Sequence, residues 1–310
     1  MSDLSTDPGS PPDRLPQSDL SEAEIDDLAA LDALFHRSAR YRSTGEYKKF
    51  LDFVGKISDY SPYNAALLHV QNPGVTYTAT PRQWRNRFDR DIERDARPYV
   101  ILQPGGPVMM VYDVSQTIPR SEDSPELPNK VTDPFEVEGD LSERTWKTTQ
   151  KNCRQERIAV REDSKLHDQY GGRVEPNKRP ADDDNAIYLV TLNADLDLEV
   201  RYVALAHELA HVFLGHLGAD EDAWWDGRPD TSDSQKELEA QSVAYLVARR
   251  ANLHSVSERY LHWYVQAEGP NAPIPGVRMR QVLGVVRYIE EMGEARFDTD
   301  RKGSKNEHEA

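Results

Sequence analysis

Apolar residues recur along most of this chain at the three- and four-residue spacing of amphipathic helices, and alternate only in short stretches. Within residues 21–58, Ile25, Leu28, Leu31, Leu34 and Phe35 trace one stripe, and Phe50, Phe53, Val54 and Ile57 trace a second. Two helices are therefore expected, broken near Ser43-Thr44-Gly45, with Ser21 and Glu24 forming a capping box for the first. Ser61 before Pro62 opens another helix, because proline is well suited to the first helical position. It stops near Asn72-Pro73-Gly74. Residues 77–80 read as a short strand and residues 81–84 start a short helix. Residues 99–102 and 108–114, joined by Pro104-Gly105-Gly106-Pro107, read as a β-hairpin.

Residues 118–143 are rich in proline, serine and acids and read as a linker. Beyond it the pattern predicts a helix at 141–155, strands at 157–160 and 185–193, and a weak strand or turn at 171–175. The strand at 185–193 is expected at a sheet edge, with backbone groups free to pair with an extended peptide. Apolar helices follow at 198–214, 236–247, 255–267 and 275–292, in which Trp263, Tyr264, Val282, Val285, Val286 and Ile289 read as core. No internal repeat is evident. The expected class is α+β. A smaller helical and hairpin domain spans residues 21–117, and a larger domain of helices on a small mixed sheet spans 144–297. Residues 1–20 and 298–310 are polar tails, expected to be disordered.

Composition narrows the function. The mean hydropathy of −0.76 is low enough that part of the chain must be tail or long loop. No apolar run approaches a membrane span, and residues 1–19 lack the apolar segment of a secretory signal. Cys153 is the only cysteine, which excludes an intramolecular disulfide and a thiolate metal cluster and fits a reducing cytoplasm. Nothing around it suggests an activated nucleophile. The net charge of −16 argues against a protein whose main task is gripping phosphates. Residues 37–97 nonetheless carry twelve Lys or Arg against seven Asp or Glu, so one basic block sits within an acidic protein.

The chemistry concentrates in His207-Glu208-Leu209-Ala210-His211, an H-E-x-x-H sequence inside the apolar helix at 198–214. Two imidazoles one turn apart on the same face can reach a single zinc ion, and Glu208 beside them can act as the base that takes a proton from metal-bound water. A catalytic zinc needs a third protein ligand. On the helix at 236–247, Glu237, Ala240, Gln241 and Ala244 share one stripe, which offers Glu237 as that ligand with Gln241 supporting it. Glu239 lies about 200° further round the helix, so only one of the two carboxylates can face the metal. Glu239 and His216 remain alternatives for the third position. His216, Tyr245 and His254 are candidates for the donor that would steady an oxyanion.

The second half resembles the ImmA/IrrE-type zincin metallopeptidases. Leu205 to His211 with Leu214-Gly215-His216 is similar to their motif helix, and residues 237–246 are similar to their E-x-x-A helix. The first half resembles the N-terminal domain of ArdC-like antirestriction proteins, through residues 60–68, Thr80-Pro81-Arg82-Gln83-Trp84 and the hairpin ending Val111-Tyr112-Asp113-Val114. These resemblances imply a zincin-like fold with a bound Zn2+, an acidic third ligand and a protein substrate. They also imply contact with single-stranded DNA, with Tyr77 and Trp84 stacking on bases and Arg82, Arg85 and Arg87 meeting phosphates. The chain departs from the antirestriction pattern at residues 91–97, where Asp91, Glu93 and Asp95 replace a lysine- and glycine-rich turn.

Overall fold

The computed structural model describes residues 43–103, 108–122, 124–127, 141–166, 171–177, 185–219, 223–253, 271–295 and 297. Among them are seven α-helices and three small sheets, and the protein is of the α+β class. No helix among the described residues is long and apolar enough to cross a membrane. The helices expected at 21–42 and 255–267, the hairpin turn at 104–107, most of the expected linker, and His254 lie outside the described residues.

Helix α1 (Thr44–Lys56) begins where the break near Ser43 was expected, with the Ser43 hydroxyl accepting from the Glu46 amide. Helix α2 (Pro62–Gln71) follows, capped by Ser61. Strand β1 (Thr78–Ala79) leads to α3 (Pro81–Phe88), whose start is a reciprocal capping box between Thr80 and Gln83. Strands β2 (Arg90–Ile92), β3 (Tyr99–Ile101), β4 (Met109–Asp113) and β5 (Thr117–Pro119) complete this half. One sheet runs β1-β4-β3 and another pairs β2 with β5. Both strands of that second pair escaped the hydrophobic pattern, because neither carries an apolar alternation.

Strand β3 would be an open edge, and α2 seals it with side chains. The Gln71 amide exchanges hydrogen bonds with the backbone of Val100, at 2.8 and 2.9 Å, and Asn64 does the same with Leu102, both at 2.9 Å. Residues 64 and 71 lie two turns apart on one helix face, so their amides line up as a surrogate strand.

In the second half, α4 (Glu143–Gln155) precedes β6 (Ile158–Glu162), β7 (Gly172–Pro176) and β8 (Tyr188–Leu192). The sheet order is β6-β8-β7, with β8 parallel to β6 and antiparallel to β7. This corrects the expected edge strand at 185–193: β8 is central, and its neighbour β7 holds the edge. The residues of β8 alternate in burial, and Tyr188, Val190 and Leu192 enter the core. Helices α5 (Leu198–Phe213), α6 (Asp233–Arg250) and α7 (Met279–Glu294) pack together, with α5 also packed on the sheet.

Two boundaries moved. Helix α6 starts at Asp233, capped by Ser232, and not at 236, and α7 starts at Met279 and not at 275. The backbone N–H of Arg278 donates to the Glu239 carboxylate at 3.0 Å, which ties down the chain just before α7.

The main core does not divide at the expected linker. Phe50, Leu51, Val54 and Leu68 from α1 and α2 share one buried cluster with Leu205, Leu209, Val243, Leu246 and Val286 from α5 to α7. The Arg250 guanidinium of α6 stitches them further, donating to the carbonyls of Val54, Ile57 and Tyr60 at the end of α1 while pairing with Glu290. Among the described residues, Ala79, Trp84 and Phe88 form a separate small core.

Candidate metal centre

Helix α5 is buried almost all round, including His207, Glu208 and nearly every position between Tyr202 and Phe213. Ionisable side chains in such a helix are costly unless they stay neutral or find partners. Burial, followed by repulsion from neighbouring imidazoles, holds His207 down at about 3 and His211 at about 2. Both rings are therefore neutral near pH 7, the form in which a ring nitrogen offers a lone pair to a metal.

The one-turn spacing brings His207 Nε2 within 3.3 Å of His211 Nε2. Helix α6 crosses alongside and places Glu237 against both, with carboxylate oxygens 3.7 Å from His207 Nε2 and 3.5 Å from His211 Nε2. With neutral imidazoles these contacts are not ion pairs. The two ring nitrogens and the Glu237 carboxylate form a triangle, with Oε2 the oxygen near His207 and Oε1 the one near His211; the Glu237 side chain is 41% exposed. Ligand atoms at bond lengths of about 2.05 Å on a tetrahedral ion lie roughly 3.3–3.4 Å apart, so a slight closure of this triangle makes one face of such a site. His207, His211 and Glu237 are thus a group that can hold a metal ion.

Glu208 is not a member of this group. It is buried against the first residue of β7, where a Cβ on Gly172 would stand 3.0 Å from Glu208 Cγ and 3.3 Å from Oε1. Glycine at 172 lets the edge strand approach this carboxylate closely, a requirement that no periodicity in the sequence announced.

The alternatives for the third position are placed apart from the triangle. Glu239 is turned into the protein, its side chain fully buried, between Arg228 and His216. Arg228 Nη1 and Nη2 donate to its two oxygens at 3.0 and 3.2 Å, and Gln235 Nε2 donates at 3.2 Å. Burial alone would raise Glu239, but the hydrogen bonds from His216 and Arg228 outweigh it and hold the carboxyl at about 2. Arg228 belongs to the loop before α6, and sequence reasoning missed it because a loop carries no period.

His216 comes back to the motif helix through a tight C-terminal turn. The amide of His216 donates to His211 O at 3.0 Å and that of Gly215 to Val212 O at 2.9 Å, the paired bonds of a Schellman motif. Gly215 has φ +72°, and a Cβ there would stand 1.9 Å from the carbonyl oxygen of Asp226, so only glycine fits. The turn sets His216 Nδ1 3.1 Å from His211 Nδ1.

No protein-family model, curated protein or solved structure matches this chain.

Gln241 is buried on α6 one turn beyond Glu237. Tyr245 is not brought to the triangle: its hydroxyl donates to Asp52 of α1. Cys153 is buried, which pushes its thiol far above the ordinary range and leaves no thiolate for chemistry.

In the first half, Trp84 is fully buried and its indole N–H donates to the Tyr112 carbonyl at 2.9 Å. Half-buried Tyr77 meets Trp84 and Phe88 edge-on, with ring centroids at 5.6 and 5.9 Å. These rings form a core, which corrects the expectation that Trp84 presents a stacking face. Arg85 is engaged by Asp91 at 2.7 Å, while Arg82 and Arg87 are exposed. Trp84→Phe is expected to lower stability by about 1–3 kcal/mol, by leaving the Tyr112 carbonyl without its donor. Denaturant titration reads this directly; an unchanged midpoint would contradict the structural role.

Proposed function

We propose that this protein is a zinc-dependent peptidase of zincin type, with His207, His211 and Glu237 as metal ligands and Glu208 as general base. The observation that carries the reading is the grouping of two neutral imidazoles and one carboxylate, slightly wider than a tetrahedral face. Nitrogen and oxygen donors without cysteine suit zinc in a hydrolytic role, and three protein ligands leave a position for water. The likeness of residues 205–216 and 237–246 to ImmA/IrrE-type zincins points the same way.

Bound zinc would supply a water of lowered pKa and an electrophile for a carbonyl oxygen. Glu208 would be the residue that takes a proton from a water held there and returns it to the departing amine, so one carboxylate would serve both halves of the hydrolysis. Its buried seat beside Gly172 restricts its motion between these tasks. Strand β7 offers a place for the substrate. In its register with β8, the backbone groups of Gly172 and Val174 face away from the sheet, and no described strand covers that edge. An extended segment of a protein substrate paired there would run directly past Glu208. Pro176 closes the row of donors, as suits an exposed edge.

Metal analysis of the purified protein tests the proposal. One zinc per chain is expected, absent from His207→Ala and Glu237→Ala. A wild-type chain that neither retains zinc nor takes it up after dialysis sinks the reading.

A further inference from the structure

The buried side chains behind His211 form a chain of hydrogen bonds that can be satisfied in one way. Glu239 is ionised and can only accept, and it already receives Arg228 Nη1 and Nη2, Gln235 Nε2 and the Arg278 amide. His216 Nε2 lies 2.9 Å from Glu239 Oε2 and must therefore donate. Arg228 already balances the charge of Glu239, so a second proton on His216 would be an uncompensated buried cation. A neutral imidazole has one N–H, which leaves His216 Nδ1 as an acceptor. That atom stands 3.1 Å from His211 Nδ1, which must then carry the proton and donate. His211 Nε2 is left as a bare lone pair, and it is the nitrogen that faces His207 and Glu237.

We propose that Glu239 and His216, anchored by Arg228, are positioning residues that lock His211 into the Nδ1–H tautomer with Nε2 presented to the metal. Ligating histidines commonly give their second N–H directly to a carboxylate or carbonyl. Here a second imidazole is inserted, delivered by the Gly215 turn, so the orienting carboxylate can sit on α6 well inside the protein. Glu237 and Glu239 thereby divide two tasks on one helix, one facing the metal site and one setting the imidazole behind it.

The inference builds on the metal-centre reading, and the test separates the two. Long-range 1H–15N correlation on the metal-free protein, assigned with single-histidine variants, reads each tautomer. His211 as Nδ1–H and His216 as Nε2–H are expected. His211 found as Nε2–H overturns the relay whether or not the protein binds zinc. The expected tautomers in a wild-type protein that binds no zinc would support the relay and overturn the metal centre.

Zinc affinity, measured by chelator competition, supplies the second arm. His216→Leu removes the acceptor and is expected to weaken binding about 10- to 100-fold. His216→Asn keeps a carboxamide oxygen near the place of Nδ1 and should recover most of the loss. Equal weakening by Leu and Asn would mean packing alone and would overturn the proposal, as would a folded His216→Leu protein that binds zinc as tightly as wild type.

Discussion

On the proposed peptidase reading, Glu208→Gln is expected to keep zinc and to lose roughly a hundred- to ten-thousand-fold in peptide hydrolysis, the range that a positioned general base contributes. The substitution is nearly isosteric, and Glu208 lies outside the triangle of His207, His211 and Glu237, so metal content and fold should not change. What changes is proton affinity, since a carboxamide cannot take a proton from water. The tight seat against Gly172 works against rescue by a neighbouring group. Cleavage of a quenched-fluorescence peptide library by matched, zinc-loaded wild-type and variant proteins measures the effect. Equal rates would remove Glu208 from the chemistry while leaving the metal site intact.

Arg228→Ala is expected to destabilise the fold by about 3 kcal/mol, the lower end of what breaking a buried ion pair costs, because three other donors still reach Glu239. The sign of its pH dependence follows from the carboxyl. The folded value of Glu239, about 2, lies below the ordinary 4.5, so its contribution is fully present above pH 4.5 and is lost as pH falls towards 2. Removing Arg228 shrinks that depression. The gap between wild type and variant should therefore be widest above pH 4.5 and narrow on acidification. Urea unfolding of the metal-free proteins across this range measures it. A gap independent of pH would mean that Arg228 acts through its bonds to Leu214 O and Gln281 and not through Glu239.

Much of the architecture was legible because it is locally encoded. The cap at Ser61 and the apolar stripes of α1, α5 and α6 are properties of a few consecutive residues. The hairpin of β3 and β4 showed in two short apolar runs on either side of Pro104-Gly105-Gly106-Pro107. The two-residue phase between Glu237 and Glu239 likewise required that they face different ways. Strands β2 and β5 were missed because their pairing satisfies backbone groups without burying an apolar face. The edge position was assigned to β8 and belongs to β7, since strand order in a sheet is settled by long-range pairing and not by the hydrophobicity of either strand.

Residue spacing alone puts His207 and His211 on one helix face, Glu208 beside them and the two carboxylates of α6 on different sides. Helical periodicity imposes all three. Only the tertiary structure decided that Glu237 stands at the imidazoles and that Glu239 joins Arg228 and His216. It also decided that Gly172 brings an edge strand to Glu208 and that Trp84 is buried rather than displayed. These outcomes depend on which faces of distant segments meet. That choice is made by the packing of one core drawn from both halves of the chain, and no local window of residues contains it.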